Sequence, residues 1–296
     1  MVNAGLDLDG RRVGVVRYGR SITSMPVRLN QDILYGGQFL GQALAASNQT
    51  VPESFHPNSM HCYFLKAASA HSPLTFSVDR VRDGSSFMSR AVRSEQDGEI
   101  AFNAIMSYQN TERLKPSITH RKAMPDVPKP AELEDSMSLF KRELLKPNLS
   151  EERRKLYQHR VDGYEGQTFL VKPANPEMYL RRVSAEQADI WVRPKGDTAW
   201  MTPSLAYCVL AYISDFYAVG GCITRYYPTI TTGLTLSLDH SLWFHRPFQP
   251  DAWHLFSYYS PQAESSRALC HGHVWNEAGD MVLSIAQECL VRNANL

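Results

Sequence analysis

One pattern of hydrophobic periodicity is written twice in this chain, and it limits the fold more than any single residue does. In the first copy, Val13 to Arg17 reads as a strand and Tyr35-Gly-Gly-Gln-Phe-Leu-Gly-Gln-Ala-Leu-Ala-Ala as a helix of small residues. Strands at Met60 to Lys66, Leu74 to Arg82 and Phe87 to Glu95 follow, and Asp97-Gly98, a strong hairpin signal, leads to a fourth from Ile100 to Gln109. In the second copy, Ala188 to Arg193 is a short strand. Thr202-Pro203, an N-cap and first-turn pair, then opens a helix to about Tyr217. Strands at Leu234 to His245, Trp253 to Ser260, Ser266 to Trp275 and Met281 to Arg292 complete it, with a turn at Ala278-Gly279. Strand, long helix, antiparallel meander: the unit is α+β and duplicated, not a βαβ repeat.

The two copies divide the chain into 1–113, a segment 114–185 rich in Pro, Lys, Arg and Glu, and 186–296. The middle segment, with Pro125, Pro128 and Pro130 and a charged helical piece near Ala131 to Leu145, is expected to cross the surface as a partly helical linker. A central helix wrapped by an antiparallel sheet is the hotdog arrangement, so the chain is expected to be a double hotdog. Laying the two sheets edge to edge would cover an edge of each and leave a cleft between the halves, where ligand pockets tend to lie.

Composition excludes several classes. Lys+Arg (31) and Asp+Glu (30) nearly cancel, which argues against a protein that coats nucleic acid. The N-terminal MVNAGLDLDGRRVG has acids, two arginines and no apolar core, so it is not a secretory signal. The longest apolar stretch, Pro203 to Thr224, is interrupted by Ser214 and Asp215 and reads as a buried helix rather than a membrane span. The five scattered cysteines form no CxxC pair and read as reduced core thiols. There is no GxSxG elbow, GxxxxGK loop or GxGxxG fingerprint.

Three polar residues stand out against apolar surroundings. Asp215 lies in Leu205-Ala-Tyr-Cys-Val-Leu-Ala-Tyr-Ile-Ser-Asp-Phe-Tyr, on the flank of the helix's apolar stripe, and a carboxylate buried there needs partners. A structural acid paired with an arginine would satisfy the same pattern. Gln287 alternates onto the face of Met281, Leu283, Ile285 and Cys289, where its amide could hold a water or simply bond backbone. In Leu234-Thr-Leu-Ser-Leu-Asp-His-Ser-Leu-Trp-Phe-His, Thr235 and Ser237 share the face opposite the leucines with Asp239, Ser241 and Trp243. Periodicity does not choose between them, and a bulge or twisted end is needed to bring that face to Asp215. Gly36-Gly37 could cradle phosphate at a helix start, though close helix–sheet packing explains it as well. His240 and His245, or His271 and His273, could be drawn as metal ligands, but no third ligand of fitting spacing accompanies them, and no metal is expected.

These residues fall within motifs that resemble the type II acyl-CoA thioesterases, the family of bacterial thioesterase II and the peroxisomal acyl-CoA thioesterases. The likeness rests on Tyr35-Gly-Gly-Gln-Phe-Leu-Gly-Gln-Ala-Leu, Ser59-Met-His-Cys-Tyr-Phe-Leu and Arg82-Asp-Gly-Ser-Ser-Phe in the first half. In the second half it rests on Ala211-Tyr-Ile-Ser-Asp, Ser237-Leu-Asp-His-Ser-Leu-Trp-Phe-His-Arg-Pro-Phe and Ala286-Gln-Glu. The family's catalytic trio of Asp, Thr or Ser, and Gln falls on Asp215, Ser237 and Gln287, which selects Ser237 over Thr235. Where family members continue Arg-Pro-Gly-Asp after Phe64-Leu65, this chain reads Lys66-Ala-Ala-Ser-Ala-His, a departure that bears on substrate preference and leaves the trio untouched.

The resemblance implies hydrolysis of medium- to long-chain acyl-CoA to free acid and CoA by an activated water, with no cofactor and no covalent intermediate. Oxyanion donors are expected from backbone N–H groups near the second helix. His61, Lys66, Arg90, Arg246 and Arg267 are candidates for contacts to substrate, the cations for CoA's phosphates. A non-catalytic acyl-CoA binder or sensor on the same scaffold is the alternative. A hotdog enoyl-CoA hydratase would carry an Asp/His pair at the start of a central helix, and neither helix does. A homodimer or higher homo-oligomer is implied by the resemblance alone. No nucleic-acid or membrane partner is expected. The C-terminal Ala294-Asn-Leu resembles a Ser-Lys-Leu address with Asn295 in place of the basic centre, which points to a peroxisomal import receptor and a peroxisomal rather than cytoplasmic location.

Overall fold

The repeated grammar becomes two copies of one sheet in the structure, a computed structural model that describes residues 2–6, 12–18, 33–113, 118–163, 167–230 and 232–293. For 2–6, 12–18, 232 and 293 only the backbone is described. The first half runs β1 (Val2–Leu6), β2 (Arg12–Tyr18), α1 (Gly36–Asn48), β3 (Phe55–Phe64), β4 (Leu74–Asp83), β5 (Phe87–Gln96) and β6 (Glu99–Asn110). The connection carries α2 (Ser136–Leu144), α3 (Glu151–Asp162), β7 (Phe169–Pro173) and α4 (Pro176–Tyr179). The second half runs β8 (Gln187–Pro194), α5 (Pro203–Ser214), α6 (Ala218–Ile223), β9 (Thr232–Ser237), β10 (Asp239–Phe244), β11 (His254–Glu264), β12 (Arg267–Asn276) and β13 (Met281–Asn293).

Strand order shows the duplication. The first half is ordered β2-β4-β5-β6-β3 and the second β8-β11-β12-β13-β10, so corresponding strands occupy corresponding places. The halves join through the related strands β3 and β10, which pair antiparallel with His61 opposite Ser241. Each half thus covers the edge the other would expose. The expected hairpin at Asp97-Gly98 forms with both residues at positive φ (53° and 82°), the left-handed geometry that selects this dipeptide.

Three sequence expectations need revision. The helix expected to reach Tyr217 ends at Ser214, and Asp215 is its C-cap. The strand expected from Leu234 to His245 breaks at Leu238 into β9 and β10. The segment expected as linker holds β7, which pairs with β8 and extends the sheet. Residues 122–133 of that segment follow the outside of the second half. Trp275 and Trp191 donate their indole N–H groups to the carbonyls of Lys122 (3.1 Å) and Pro128 (2.9 Å), while Met124, Val127 and Leu133 pack on the cluster these rings form with Leu255.

The apolar run from Pro203 to Tyr226 is mostly buried between the sheet and α1 rather than presented to a lipid phase. All five cysteines are buried and unpaired. Helices α1 and α5 lie antiparallel at close range because the small residues of α1 permit it. A Cβ on Gly37 would stand 2.2 Å from the carbonyl oxygen of Tyr212 and 2.4 Å from the Tyr35 ring, and one on Gly41 would stand 3.0 Å from the carbonyl of Cys208. The Gly36-Gly37 pair serves both contacts: Gly36 lies against the Phe64 ring of β3, the expected helix–sheet packing, and Gly37 against α5. Overpacking at a backbone oxygen has no side chain to yield, so Gly37→Ala is expected to cost about 1–3 kcal/mol or more. Urea unfolding should show a lowered midpoint with an unchanged slope.

Candidate functional site

The start of α1, the end of α5 and the break between β9 and β10 enclose a cavity of about 370 Å³, within the handful of hundreds of cubic ångströms typical of small-ligand sites. Leu34, Phe39, Phe64, Phe216, Val219 and Leu236 make its wall apolar, and Asp215, Ser237 and Gly36 open onto it.

The break at Leu238 builds the polar corner. Ser237 pairs with Cys289 and Ser241 with Ala286, so one residue is inserted relative to β13. An extra residue exchanges the two faces of a strand. Below it, His240, Leu242 and Phe244 point inward; above it, Ser237 joins the same interior instead of the opposite face. The inserted residue keeps its hydrogen bonds. Leu238 N–H donates to the Glu288 carbonyl (2.9 Å), its own carbonyl accepts from Phe64 N–H (3.0 Å), and Asp239 Oδ1 accepts from Glu288 N–H (2.7 Å). Gln287 takes the inner face that alternation assigns, fully buried, while Glu288 faces outward and pairs with Arg267.

Ser237 Oγ donates to Asp215 Oδ1 at 3.2 Å, and Gln287 Nε2 donates to Ser237 Oγ at 2.8 Å. The backbone N–H of Gly37, in the first turn of α1, also bonds the Asp215 carboxylate. Gly36 also lies close, since a Cβ there would be 2.6 Å from Asp215 Oδ2. Burial pushes the Asp215 carboxyl up to about 7, against the opposing pull of hydrogen bonds from Ser237, Gln287 and the Gly37 N–H. A carboxylate poised near neutrality is suited to taking a proton from water. Two residues of the corner were not singled out as a pair with Gln287. His240 Nδ1 meets Gln287 Oε1, and His240 Nε2 lies 2.9 Å from Ser214 Oγ. His240 could have been found as a histidine alternating with Leu242 and Phe244, had the strand break been legible.

The related place in the first half carries none of this chemistry. Position Gly36 of α1 corresponds to Pro203 of α5, so Asn48 corresponds to Asp215; Asn48 meets Ser204 as Asp215 meets Gly37. Strand β3 has its own inserted residue, Asn58, where β10 follows Leu238. Register then aligns Pro57 with Ser237, Met60 with His240 and Met106 with Gln287. Duplication of the fold has left one polar corner.

Of the expected substrate contacts, only Lys66 borders the cavity, where it pairs with Glu99. His61 alternates outward from Met60 and Cys62, bonds Ser241 Oγ at 3.0 Å and packs on Trp243. Arg90 is wholly buried and spends its donors on Thr50, Asp83 and the carbonyls of Arg82 and Ser89, a core cation rather than a substrate contact. Arg246 lies beside Asp280 at the far end of β13, and Arg267 pairs with Glu288 on the outer face. Gly36 at the start of the first helix and Phe216 and Val219 after the second all line the cavity. His271 and His273 stack on Tyr259.

Residues 169–290 match the family described as acyl-CoA thioesterase, and residues 25–109 match the acyl-CoA thioesterase N-terminal domain. Acyl-coenzyme A thioesterase 8 of Homo sapiens is 38% identical over 262 residues, 88% of this chain and 80% of the relative. Acyl-CoA thioesterase 2 of Haemophilus influenzae is 30% identical over 267 residues, 88% of this chain and 87% of the relative. Among solved structures, acyl-CoA thioesterase II TesB2 from Mycobacterium marinum is similar at a TM-score of 0.70 and 30% identity, over 88% of this chain and 90% of that one. This chain therefore belongs to the acyl-CoA thioesterase family, and its architecture is the double hotdog.

The raised Asp215 carboxyl has a consequence for stability. Its pKa goes from 3.8 to about 7 on folding, so between those values the folded protein holds a proton that the unfolded chain has released. Stability on this account falls as pH rises through that window, and the deficit is complete above about pH 7. Asp215→Asn removes the buried charge. The variant should melt above the wild type at pH 8, by an amount on the order of a few kcal/mol, with the gap closing toward pH 4 in paired thermal melts.

Proposed function

We propose that this chain hydrolyses the thioester of medium- to long-chain acyl-CoA, using a water activated at Asp215 and held by Ser237 and Gln287. The observation that carries the reading is one ionisable carboxylate that accepts from Ser237, itself held by Gln287, at the wall of an otherwise apolar cavity. The acyl chain lies along Leu34, Phe39, Phe216 and Val219, which bury it from water. Asp215 takes a proton from the water, whose oxygen attacks the thioester carbon. Negative charge gathers on the carbonyl oxygen near Gly36, where the N-terminal end of α1 favours it. The C–S bond then breaks, the thiolate leaves, and the proton on Asp215 returns to it. Water and thioester supply every atom of the acid and the thiol, so no cofactor is required. Lys66, which borders the cavity, contacts the polar part of CoA in this reading.

Thiol release from decanoyl-CoA, followed with a thiol reagent, tests the reading. Asp215→Asn should lower kcat at least about tenfold, toward the 10²–10⁴ range typical of general-base loss. The base must be ionised, so kcat should be full above Asp215's pKa and fall as pH drops through about 7. Wild-type turnover by Asp215→Asn would sink the assignment. Binding of decanoyl-CoA without release would favour a non-catalytic acyl-CoA binder, and a chain-length panel peaking at acetyl-CoA would remove the medium- to long-chain part. A strong chelator should leave the rate unchanged.

A peroxisomal location and a homo-oligomeric state belong to the same proposal. The location is supported by a relative 24% identical over 302 residues, named peroxisomal acyl-coenzyme A thioester hydrolase 1 in Saccharomyces cerevisiae. The Ala294-Asn-Leu segment lies outside the described residues. A fluorescent protein extended by the last dozen residues should collect in peroxisomes, and a diffuse cytosolic signal would count against import by this segment.

A further inference from the structure

His240 takes no part in the reaction just described, yet it faces the one atom that decides how Gln287 is oriented. Its imidazole is wholly buried on β10, between β3 and β13. Together with its neighbours it closes a ring. Asp215 accepts from Ser237, and Ser237 accepts from Gln287. Gln287 Oε1 meets His240 Nδ1, and His240 Nε2 meets Ser214 Oγ at 2.9 Å. The peptide bond from Ser214 to Asp215 completes the circuit.

The chemistry of each group sets the direction of that ring. An ionised carboxylate only accepts, so Ser237 turns its single hydrogen toward Oδ1 and offers lone pairs to the Gln287 NH₂. The carbonyl end of the amide then needs a donor, and among the described residues Nδ1–H of His240 is placed to give it. Burial holds the imidazole neutral, its pKa lowered to about 4 with a smaller opposing effect from the Gln287 bond, so it carries one N–H. Nε2 is left as an acceptor for the Ser214 hydroxyl, whose hydrogen is shared with the Ala211 carbonyl at 2.7 Å. A carboxamide is nearly the same shape after a half-turn, so packing alone does not choose its orientation. Turned over, Gln287 would aim an acceptor at Ser237 and Asp215 in place of a donor.

We infer that His240 is a positioning residue for hydrolysis: its Nδ1–H locks the Gln287 amide with the NH₂ toward Ser237 and Asp215, and so fixes the partners of the attacking water. The first half supplies a comparison within the same chain. At the places related to His240 and Gln287 it carries Met60 and Met106, both buried, so the imidazole and the amide are present together or absent together.

The inference rests on the thioesterase reading of this site, and the tests keep the two apart. Met60 shows that a thioether fits the related position, so His240→Met is the substitution to make in the full chain. Its kcat on decanoyl-CoA should fall about ten- to a hundredfold, the scale of a misplaced reacting group. KM should change by less than about twofold, because the loss is confined to the transition state. Asp215 would also lose a hydrogen bond that favours its ionised form, so the acidic limb of the kcat profile should move to higher pH. The other ionisable groups that feel its charge are Tyr35 before α1, Cys62 on β3, Tyr212 on α5, Tyr258 on β11 and Cys289 on β13, all uncharged near neutrality. His240→Asn keeps an N–H near the place of Nδ1 and should recover most of kcat and return the limb. Nitrogen NMR of the histidines in the unsubstituted protein reads the tautomer directly, and decides the matter should His240→Met fail to fold. A protonated Nδ1 with a bare Nε2 is expected. Wild-type kcat and pH limb in His240→Met, or a bare Nδ1 in the spectrum, overturn the inference. Full activity in Asp215→Asn would instead bring down the site reading itself, whereas an inactive Asp215→Asn beside a fully active His240→Met removes only the role of His240.

Discussion

Everything in the cavity is arranged around one carboxylate taken out of water between two helix ends. Asp215 is the C-cap of α5, the end of a helix where a negative charge is disfavoured. What makes the position tolerable is the opposite end of another helix. The N-terminus of α1 meets it with the Gly37 N–H, and α1 has no side-chain cap of its own, Tyr35 supplying none. The carboxylate of one half thus satisfies the helix of the other. Gly36 and Gly37 are required because any side chain there would occupy the space of Asp215 or of the Tyr212 carbonyl.

That contact ties the site to the joining of the halves. Helices α1 and α5 approach closely, β3 and β10 pair beneath them, and the polar corner sits where these two contacts meet. Neither half contains a complete site: α1 and Phe64 come from the first, Asp215, Ser237 and Gln287 from the second. The same geometry, repeated at the related position, ends on Asn48, Pro57 and Met106. Asn48 accepts from the Tyr108 hydroxyl at 2.8 Å and donates to Ser204 Oγ at 2.8 Å. An uncharged amide there donates to Ser204 at the start of the neighbouring helix, whose cap is Thr202, without the desolvation cost of a carboxylate.

The energetic character of the two places therefore differs. Around Asp215 burial raises the carboxyl to about 7, so the folded protein holds a charge that would be more stable in water. Strained or desolvated groups of this kind persist where function needs them and the surrounding structure is strong enough to impose them. Here the surroundings include the wholly buried Leu40, Leu44, Leu210, Ala211 and Tyr258, whose hydroxyl donates to the Ser214 carbonyl at 2.8 Å and holds the end of α5 in place.

The sequence by itself determined the duplicated α+β unit, because strand and helix periods are local properties that alternate cleanly at β4 to β6 and β11 to β13. It also determined the Asp97-Gly98 hairpin, the inward side of Gln287 and the isolation of Asp215 among apolar residues. Resemblance to a family, not periodicity, selected Ser237 over Thr235. Only the tertiary structure decided that the strand breaks at Leu238, since an inserted residue is defined by its partner strand, here β13, and leaves no mark in local alternation. That break turns Ser237 inward beside His240, and without it the two lie on opposite faces. Position in space also decided the cations. Arg90 reads in sequence like any polar strand residue, yet its donors are used up in the core, and Arg246 and Arg267 fall on surfaces away from the cavity. Side-chain charge is written in the sequence, but which charges share a pocket depends on contacts between residues far apart in the chain, and those are set when the two halves pack together.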